Sequence, residues 1–368
     1  MSFICKQYYL DNIEKELNDT STYELSDLTE EDIVRSHIRF CSKFNIEVQD
    51  RFLPFVHMLP KFHKPAIDFR YIAAGKKSST KTLSKLLSGI FKLLDSTLKY
   101  MDNFKFKFKN TSGYWIAKNK DVCLAALNYL NNSAKANSIA SFDFKKLYTN
   151  LPHDKVINKI SDLIIRCFKE KKVDYIVVNK YFKASWSSKK KANWALKDDD
   201  VIELFTFLMN NIFVKFQGRI YKQVIGIPMG CDCAPQVADL FLFWYEHDYI
   251  SRGVTDNNNI VSKFKYCCRY IDDLNAPNCT PEISQIITND IYPTELEIIC
   301  TNVNDTKRCT FLDLDILVNN KGFVTALYDK RRDFNFKVVS LPNLKSNIPS
   351  GPAYGIFTGE LYRLSKSC

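Results

Sequence analysis

The sequence predicts an α+β fold, and three observations carry that expectation. Some segments alternate apolar and polar residues with a period of two, as strands do; others place leucines and isoleucines at helical spacing. The two kinds succeed one another without the regular strand–helix–strand rhythm of a parallel α/β sheet. Hydrophobic residues make up 46% and charged residues 25% of the 368, enough apolar material for two or three structural units with a real core.

Taken in order, the first fifty residues read as helical and acidic, with "DLTEEDIVRSHIRF" opening on a Thr-x-x-Asp cap-like pattern. "FRYIAAG" (Phe69–Gly75) reads as a strand ending at glycine. Thr80–Met101 is an amphipathic helix, because Leu83, Leu86, Leu87, Ile90, Leu94 and Leu98 fall on one side. "SIASFDF" (Ser138–Phe144) is a short strand, and a helix starts near Pro152. Ile212–Gly226 alternates on both sides of Gln217-Gly218, a hairpin pattern. Ala234–Ile250 is an apolar helix. Ser262–Ile271 reads as a strand with Phe264, Tyr266, Cys268 and Tyr270 on one face. A further hairpin is expected within "CTFLDLDILVNNKGFVTALYDK", turning at Asn319 to Gly322, and a last helix after Ser350.

Charge is unevenly spread over a net +11. Residues 1–40 hold nine acids against four bases, whereas residues 51–120 hold fifteen Lys/Arg and three acids. In that basic stretch the cations interleave with aromatics, as in "MDNFKFKFKN" and "LPKFHKP", a pattern suited to a polyanion: lysines meet phosphates while rings pack or stack. The twelve cysteines form no Cys-x-x-Cys pairs and do not cluster with the five histidines, so they read as reduced thiols rather than a zinc site. No eighteen-residue apolar run appears, and the N-terminus lacks the order of a signal peptide, so the expected location is nucleus or cytoplasm.

The stretch "CCRYIDDLNAP" places two aspartates side by side after an apolar run. Adjacent carboxylates repel, and an Asp-Asp pair alone is weak evidence; a second acidic run, Asp198 to Asp200, exists elsewhere. The pair gains meaning from its companions: Asp143 at the end of a strand, and the turn "GIPMGCDCAPQVADL" feeding a helix. Nucleotidyl transfer needs two Mg²⁺ ions about 4 Å apart, held by one or two hard carboxylates plus substrate phosphates. Asp143 and Asp272 supply these if their strands are neighbours in one antiparallel sheet, with Asp273 at the rim.

This ordered set resembles the reverse transcriptases. Tyr270-Ile271-Asp272-Asp273 is similar to their Tyr-x-Asp-Asp turn, and "SFDFKKLYTNLPH" to the motif holding their other metal-binding Asp. The match is closer to the Penelope-like retroelement enzymes, a branch akin to telomerase: "LPKFHKP", "FRYIAAG", "LYTNLPH", "GIPMGCDCAPQVADLFLFWYE", "YIDD", "FLDLDI" and "SNIPSGPAYGIF" fit their pattern over roughly residues 50 to 360. The resemblance implies a right-hand polymerase with an antiparallel palm sheet, fingers and a partial helical thumb. Residues 1–50 would be an acidic helical extension, 51–330 the fingers and palm, and 331–368 the start of the thumb. It implies an RNA-directed DNA polymerase that uses Mg²⁺, with Mn²⁺ as a substitute, an RNA template, a DNA primer or RNA–DNA hybrid, and dNTPs. Asp143, Asp272 and Asp273 would be catalytic and hold the metals. Tyr148 occupies the position of the aromatic that blocks a ribose 2′-hydroxyl. Ile227–Gly230 looks like the dNTP-pocket turn, although Met229 stands where retroviral enzymes carry Gln. Lys61, Lys64 and Arg70 fall in the fingers, with Arg70 facing the triphosphate. Gly226 and Gly230 would let backbone approach the base pair, Tyr270 would line the site, and Phe311 and Leu312 would lie near the primer grip.

Two other readings fit the same residues. One is a catalytically inactive or repurposed nucleic-acid binder that keeps the fold. The other is a telomerase-like or template-independent nucleotidyltransferase. The intact Asp143, Asp272 and Asp273 argue against the first, and template dependence of the product separates the second.

Overall fold

The structure is a computed structural model; it describes residues 4–61, 68–133, 135–190, 194–227, 230–256, 258–334, 336, 341, 343 and 349–365. At its centre is a four-stranded antiparallel sheet. The strand order is Cys268–Tyr270, Asp273–Pro277, Ile139–Lys145, Glu297–Cys300. Strand alternation explains its two faces. Ala140, Phe142 and Phe144 point into the largest apolar cluster, shared with the helices Lys81–Lys105, His153–Lys171 and Ala234–Thr255. Ser141 and Asp143 fall on the opposite face.

That opposite face is covered at one end only. There Ile139 and Cys268 pack with Cys123, Leu127 and Leu130 of the helix Lys120–Asn132 and with Phe311, Leu314 and Ile316 of a second sheet. This second sheet has three strands, Arg308–Phe311, Leu314–Asn319 and Gly322–Leu327, with the expected turn where Asn319 pairs with Gly322. The other end of the central sheet, where Asp143 sits, is half-open.

The sequence expectations hold for the long periodic elements. The helix begun near Thr80 runs Lys81–Lys105, and the 213–223 hairpin turns at Gln217 and Gly218, both with positive φ. A helix spans Ser350–Ser365, and Thr29 caps Glu30–Ser42 by accepting from the Asp32 backbone N–H. The Asp198–Asp200 run has a local cause: it forms the first turn of the helix Asp198–Asn210, where carboxylates meet the positive end of the dipole.

One expectation is corrected. Ser262–Ile271 is not a continuous strand. Asn259–Phe264 is a 3₁₀ turn, and only Cys268–Tyr270 pairs in the sheet. The cause is packing: the Phe264 ring stacks on Trp115 with centroids 5.7 Å apart and is fully buried, which an exposed edge strand would not allow. Short elements escaped notice, including strand Val56–Lys61, which carries Pro60 and pairs with Asp68–Ala73 in a separate two-stranded ribbon where an edge tolerates proline. The first fifty residues are stitched to the 213–223 hairpin: Tyr23–Leu25 pairs with Tyr221–Gln223, and Glu30 forms an ion pair with Lys215 at 2.7 Å.

No helix among the described residues is long and apolar enough to cross a membrane. Phe142 is 1% exposed between the central sheet and its helices. Phe142→Ala should cost about 3–5 kcal/mol, read as a shift in the midpoint of urea unfolding with unchanged slope.

Candidate active site

Register decides what meets at the open end of the central sheet. Asp273 pairs directly with Asp143, and Leu274 with Phe142. Directly opposed residues in an antiparallel pair share a face, with Cβ atoms about 4.5–5.5 Å apart. Asp273, expected at the rim, therefore stands across from Asp143. Asp272 occupies the two-residue loop between the paired Tyr270 and Asp273.

The three carboxylates feel one another. The Asp273 side chain reaches the surface yet stands in a crowded recess. Desolvation pushes its carboxyl up to about 6, and the charges of Asp272 and Asp143 push the same way; the Lys330 ammonium opposes them. A recess of hard oxygen donors carrying excess negative charge fits a divalent cation such as Mg²⁺. Among the described residues, no group of three or more His, Cys, Asp or Glu side chains already converges on a metal position.

The loop itself is strained. Ile271 has φ 55°, a left-handed conformation costly for a β-branched residue. A two-residue hairpin with positive φ at its first position normally takes glycine. A buried arginine holds this loop. The fully buried Arg269 guanidinium donates to the Ile271 carbonyl at 3.0 Å, to Asp239 Oδ1 at 3.0 Å, and to Glu246. Tyr292 donates to Glu246 at 2.8 Å. Lys118 stands 2.7 Å from Asp95 and 3.9 Å from Asp239, so the network continues to the surface. Burial raises the Asp239 carboxyl, countered by Arg269 and Lys118. The segment Trp115–Ala117 clamps the same strand, with the Arg269 N–H donating to the Trp115 carbonyl at 2.6 Å and the Ala117 N–H to the Arg269 carbonyl at 2.7 Å.

Tyr148 lies in the turn after Asp143, half-buried. Burial raises its phenol pKa, and Asp272, Asp239 and Tyr270 add to the effect, which places all three near its ring. Its carbonyl accepts from the Ile227 N–H at 2.7 Å, tying it to the start of the expected dNTP-pocket segment. Tyr270 is half-buried beside the second cluster.

Gly226 and Gly230 sit where protein backbone closes in. A Cβ on Gly226 would meet the Tyr148 carbonyl oxygen at 2.4 Å, and one on Gly230 the Ala73 carbonyl oxygen at 2.0 Å. Both have positive φ, 89° and 117°. Their missing side chains let protein backbone approach: Gly226 joins the Tyr148 turn, and Gly230 joins the end of the Asp68–Ala73 strand. The His153 ring bonds the Gly226 carbonyl at 2.7 Å.

Arg70 is exposed on the ribbon, and its side chain makes no hydrogen bond or ion pair within the described residues. Lys61 differs: it is paired with Asp68 at 2.6 Å, so its charge is already answered. Lys64 and Met229 lie outside the described residues. Phe311 is buried, and Leu312 starts the Phe311–Leu314 turn with φ 54°. Sequence reasoning missed Lys330, Arg269, Asp239 and Glu246. For the last two a signal existed: two acids seven residues apart share one face of a helix rich in aromatic and aliphatic residues.

No family model matches the chain, and no curated protein matches it in sequence. Solved structures do. The telomerase of Candida albicans, determined with a fragment of telomeric RNA, is similar with a TM-score of 0.56 at 13% identity, over 90% of this chain and 52% of the telomerase chain. Weaker likenesses include apo telomerase from Candida tropicalis (TM-score 0.49, 14% identity, 83% of this chain and 51% of that one). A sicinivirus RNA-dependent RNA polymerase is weaker still (0.42, 11%, 85% and 60%). The first likeness shows the fold: an α+β right-hand polymerase architecture, in which the central sheet is the palm. The chain spans about half the length of that telomerase (52%).

The electrostatics set two expected outcomes. Because the Asp273 pKa is raised above its unfolded value of about 3.9, its ionisation opposes folding: that cost is absent below pH 4 and complete above pH 6. Asp273→Asn should raise the melting temperature at pH 7.5 by about a degree or two, since solvent screens the effect; the gain should vanish at pH 4 and shrink when Mg²⁺ is added to both proteins. Arg269→Ala leaves Glu246 buried without its cation and should cost about 3–5 kcal/mol in chemical denaturation. The double change Arg269→Met with Glu246→Leu should recover most of that loss.

Proposed function

We propose that this chain is an RNA-directed DNA polymerase of the Penelope-like retroelement type. One observation carries the reading. In a palm-type sheet, Asp143 stands opposite Asp273, and Asp272 sits on a strained loop held from beneath by Arg269.

Each residue then has a chemical task. Asp143 and Asp272 would hold the divalent cations, with Asp273 adding negative potential. When bound, those cations offset the charge on the α-phosphate and favour ionisation of the primer 3′-hydroxyl. Arg70, exposed and unengaged among the described residues, would donate bidentately to the triphosphate. Tyr148, whose carbonyl accepts from the Ile227 N–H, would present its ring to an entering 2′-hydroxyl. The open sheet face takes the hybrid through phosphates and minor-groove 2′-hydroxyls, because an A-form major groove is too deep to read. Positioning and electrostatics do the work, with no covalent intermediate.

On this reading the chain divides into an acidic extension over 1–50, fingers and palm over 51–330, and the start of a thumb over 331–368. The extension shares a sheet with the 213–223 hairpin, which supports its acting as a brace for the fingers.

Primer extension tests the proposal. Asp272→Ala should lose Mg²⁺-dependent dNTP incorporation on an RNA template by at least a thousandfold while its melting temperature is retained. Undiminished extension by that variant would refute the assignment. Tyr148→Ala should keep incorporation and lower the preference for dNTP over rNTP at least tenfold in kcat/KM; an unchanged preference would remove Tyr148 from the ribose gate.

A further inference from the structure

The segment "MDNFKFKFKN" lies far from the pocket that the proposed chemistry uses. Its helix, Lys81–Lys105, begins where Lys81 binds Asp232 at 2.8 Å, two residues from Gly230. At 1.5 Å per residue, Phe104 is about 35 Å along the axis from that end. An aromatic, basic surface there is not explained by the polymerase site.

Three rings stand out from it. Tyr100 is 56% exposed, Phe104 73% and Phe108 88%. Large aromatics this exposed are unusual on a surface this charged. Tyr100 and Phe104 are four residues apart on one helix face, so their rings step by about 6 Å. That step matches the spacing of successive bases in an extended single strand, which reaches further per nucleotide than stacked duplex.

The cations are arranged around the rings. Lys171 Nζ lies 5.0 Å from the Tyr100 ring centre, and Lys107 Nζ 5.3 Å from that of Phe108. Lys99, Lys105, Lys107 and Lys109 are all exposed, whereas Asp102, the one acid between residues 99 and 110, is fully buried and bonded to Ser112 and Gly113. Lys169 extends the positive surface from the neighbouring helix, with Glu170 beside it, whereas Arg166 is ion-paired with Asp162 at 2.7 Å. Arg166 lies close enough to Lys105 to lower its pKa, after burial, the larger cause. Lys107 and Lys109 have no ion pair among the described residues, so their charge is available to an anionic partner.

We infer that Tyr100, Phe104 and Phe108, with Lys107, Lys109 and Lys171, form a second binding surface for single-stranded nucleic acid. Rings take the bases and ammonium groups take the phosphates, without hydrogen-bond readout of sequence. The surface would hold an unpaired stretch outside the paired hybrid. It deepens the polymerase reading but does not need catalysis to be true.

Fluorescence anisotropy on the full chain tests it, with labelled twelve-nucleotide oligo-uridine and oligo-thymidine as probes. The triple variant Tyr100→Ala, Phe104→Ala, Phe108→Ala should bind both probes at least tenfold more weakly, because each stacked base contributes separately. Lys107→Glu with Lys109→Glu should also weaken binding and flatten its salt dependence. Both variants should extend a short blunt-ended primer–template as the parent does, and circular dichroism should match. Oligonucleotide affinity within twofold of the parent in the triple variant would overturn the inference, and would leave this patch to a protein partner. Failure of the polymerase reading would appear instead as no extension by the parent chain, with the oligonucleotide result unaffected.

Discussion

Like charges repel, and this molecule is organised to hold three of them together. Antiparallel pairing sets Asp273 against Asp143, and a two-residue loop brings Asp272 beside them. Nothing in local chain preference asks for this. The Ile271 backbone is strained, and the Asp273 carboxyl is reluctant to ionise. The sheet packed on three helices offsets that cost, together with an arginine whose donors are spent on two acids and the loop carbonyl. Repulsion of this kind is relieved by a partner of opposite charge, and a divalent cation has the charge and oxygen preference to be one.

Close backbone contact shapes the pocket beside it. Gly226 and Gly230 are points where three chain segments close on one another: the Tyr148 turn, the Gly226-Ile227 backbone and the end of the Asp68–Ala73 strand. Backbone contact without side chains fixes distances more rigidly than side-chain packing does. Tyr148 is therefore oriented by main chain on one side and by the acidic recess on the other. This joins the ribbon that carries Arg70 to the sheet that carries the aspartates, so the exposed guanidinium and the acidic recess belong to connected parts of one fold.

Much of this was legible in the sequence, for physical reasons that also mark the limits. Long helices were visible because burial imposes a period of 3.6 over many turns, as in Lys81–Lys105. The Gln217-Gly218 hairpin was visible because left-handed backbone restricts residue choice. Asp143 and the Asp272-Asp273 pair stood out because carboxylates ending apolar strands need an explanation. Strands of three or four residues, such as Trp194–Leu196, carry too few positions to show a period. The Cys268–Tyr270 strand looked longer than it is, because Phe264 keeps the alternation by accident while packing on Trp115. Register was not readable at all: that Asp273 rather than Asp272 faces Asp143 depends on pairing between distant parts of the chain. Arg269 was hidden in plain view, since a single arginine before a tyrosine does not announce that it will be buried.

The proposed polymerase requires Asp143 and Asp272 to share a divalent cation. Anomalous diffraction from crystals grown with Mn²⁺, a primer–template and a non-hydrolysable dNTP analogue tests it most directly. The account requires manganese peaks whose protein ligands are carboxylate oxygens of Asp143 and Asp272. Manganese bound elsewhere, or the two side chains turned to separate surfaces with the nucleotide seated away from them, would contradict it.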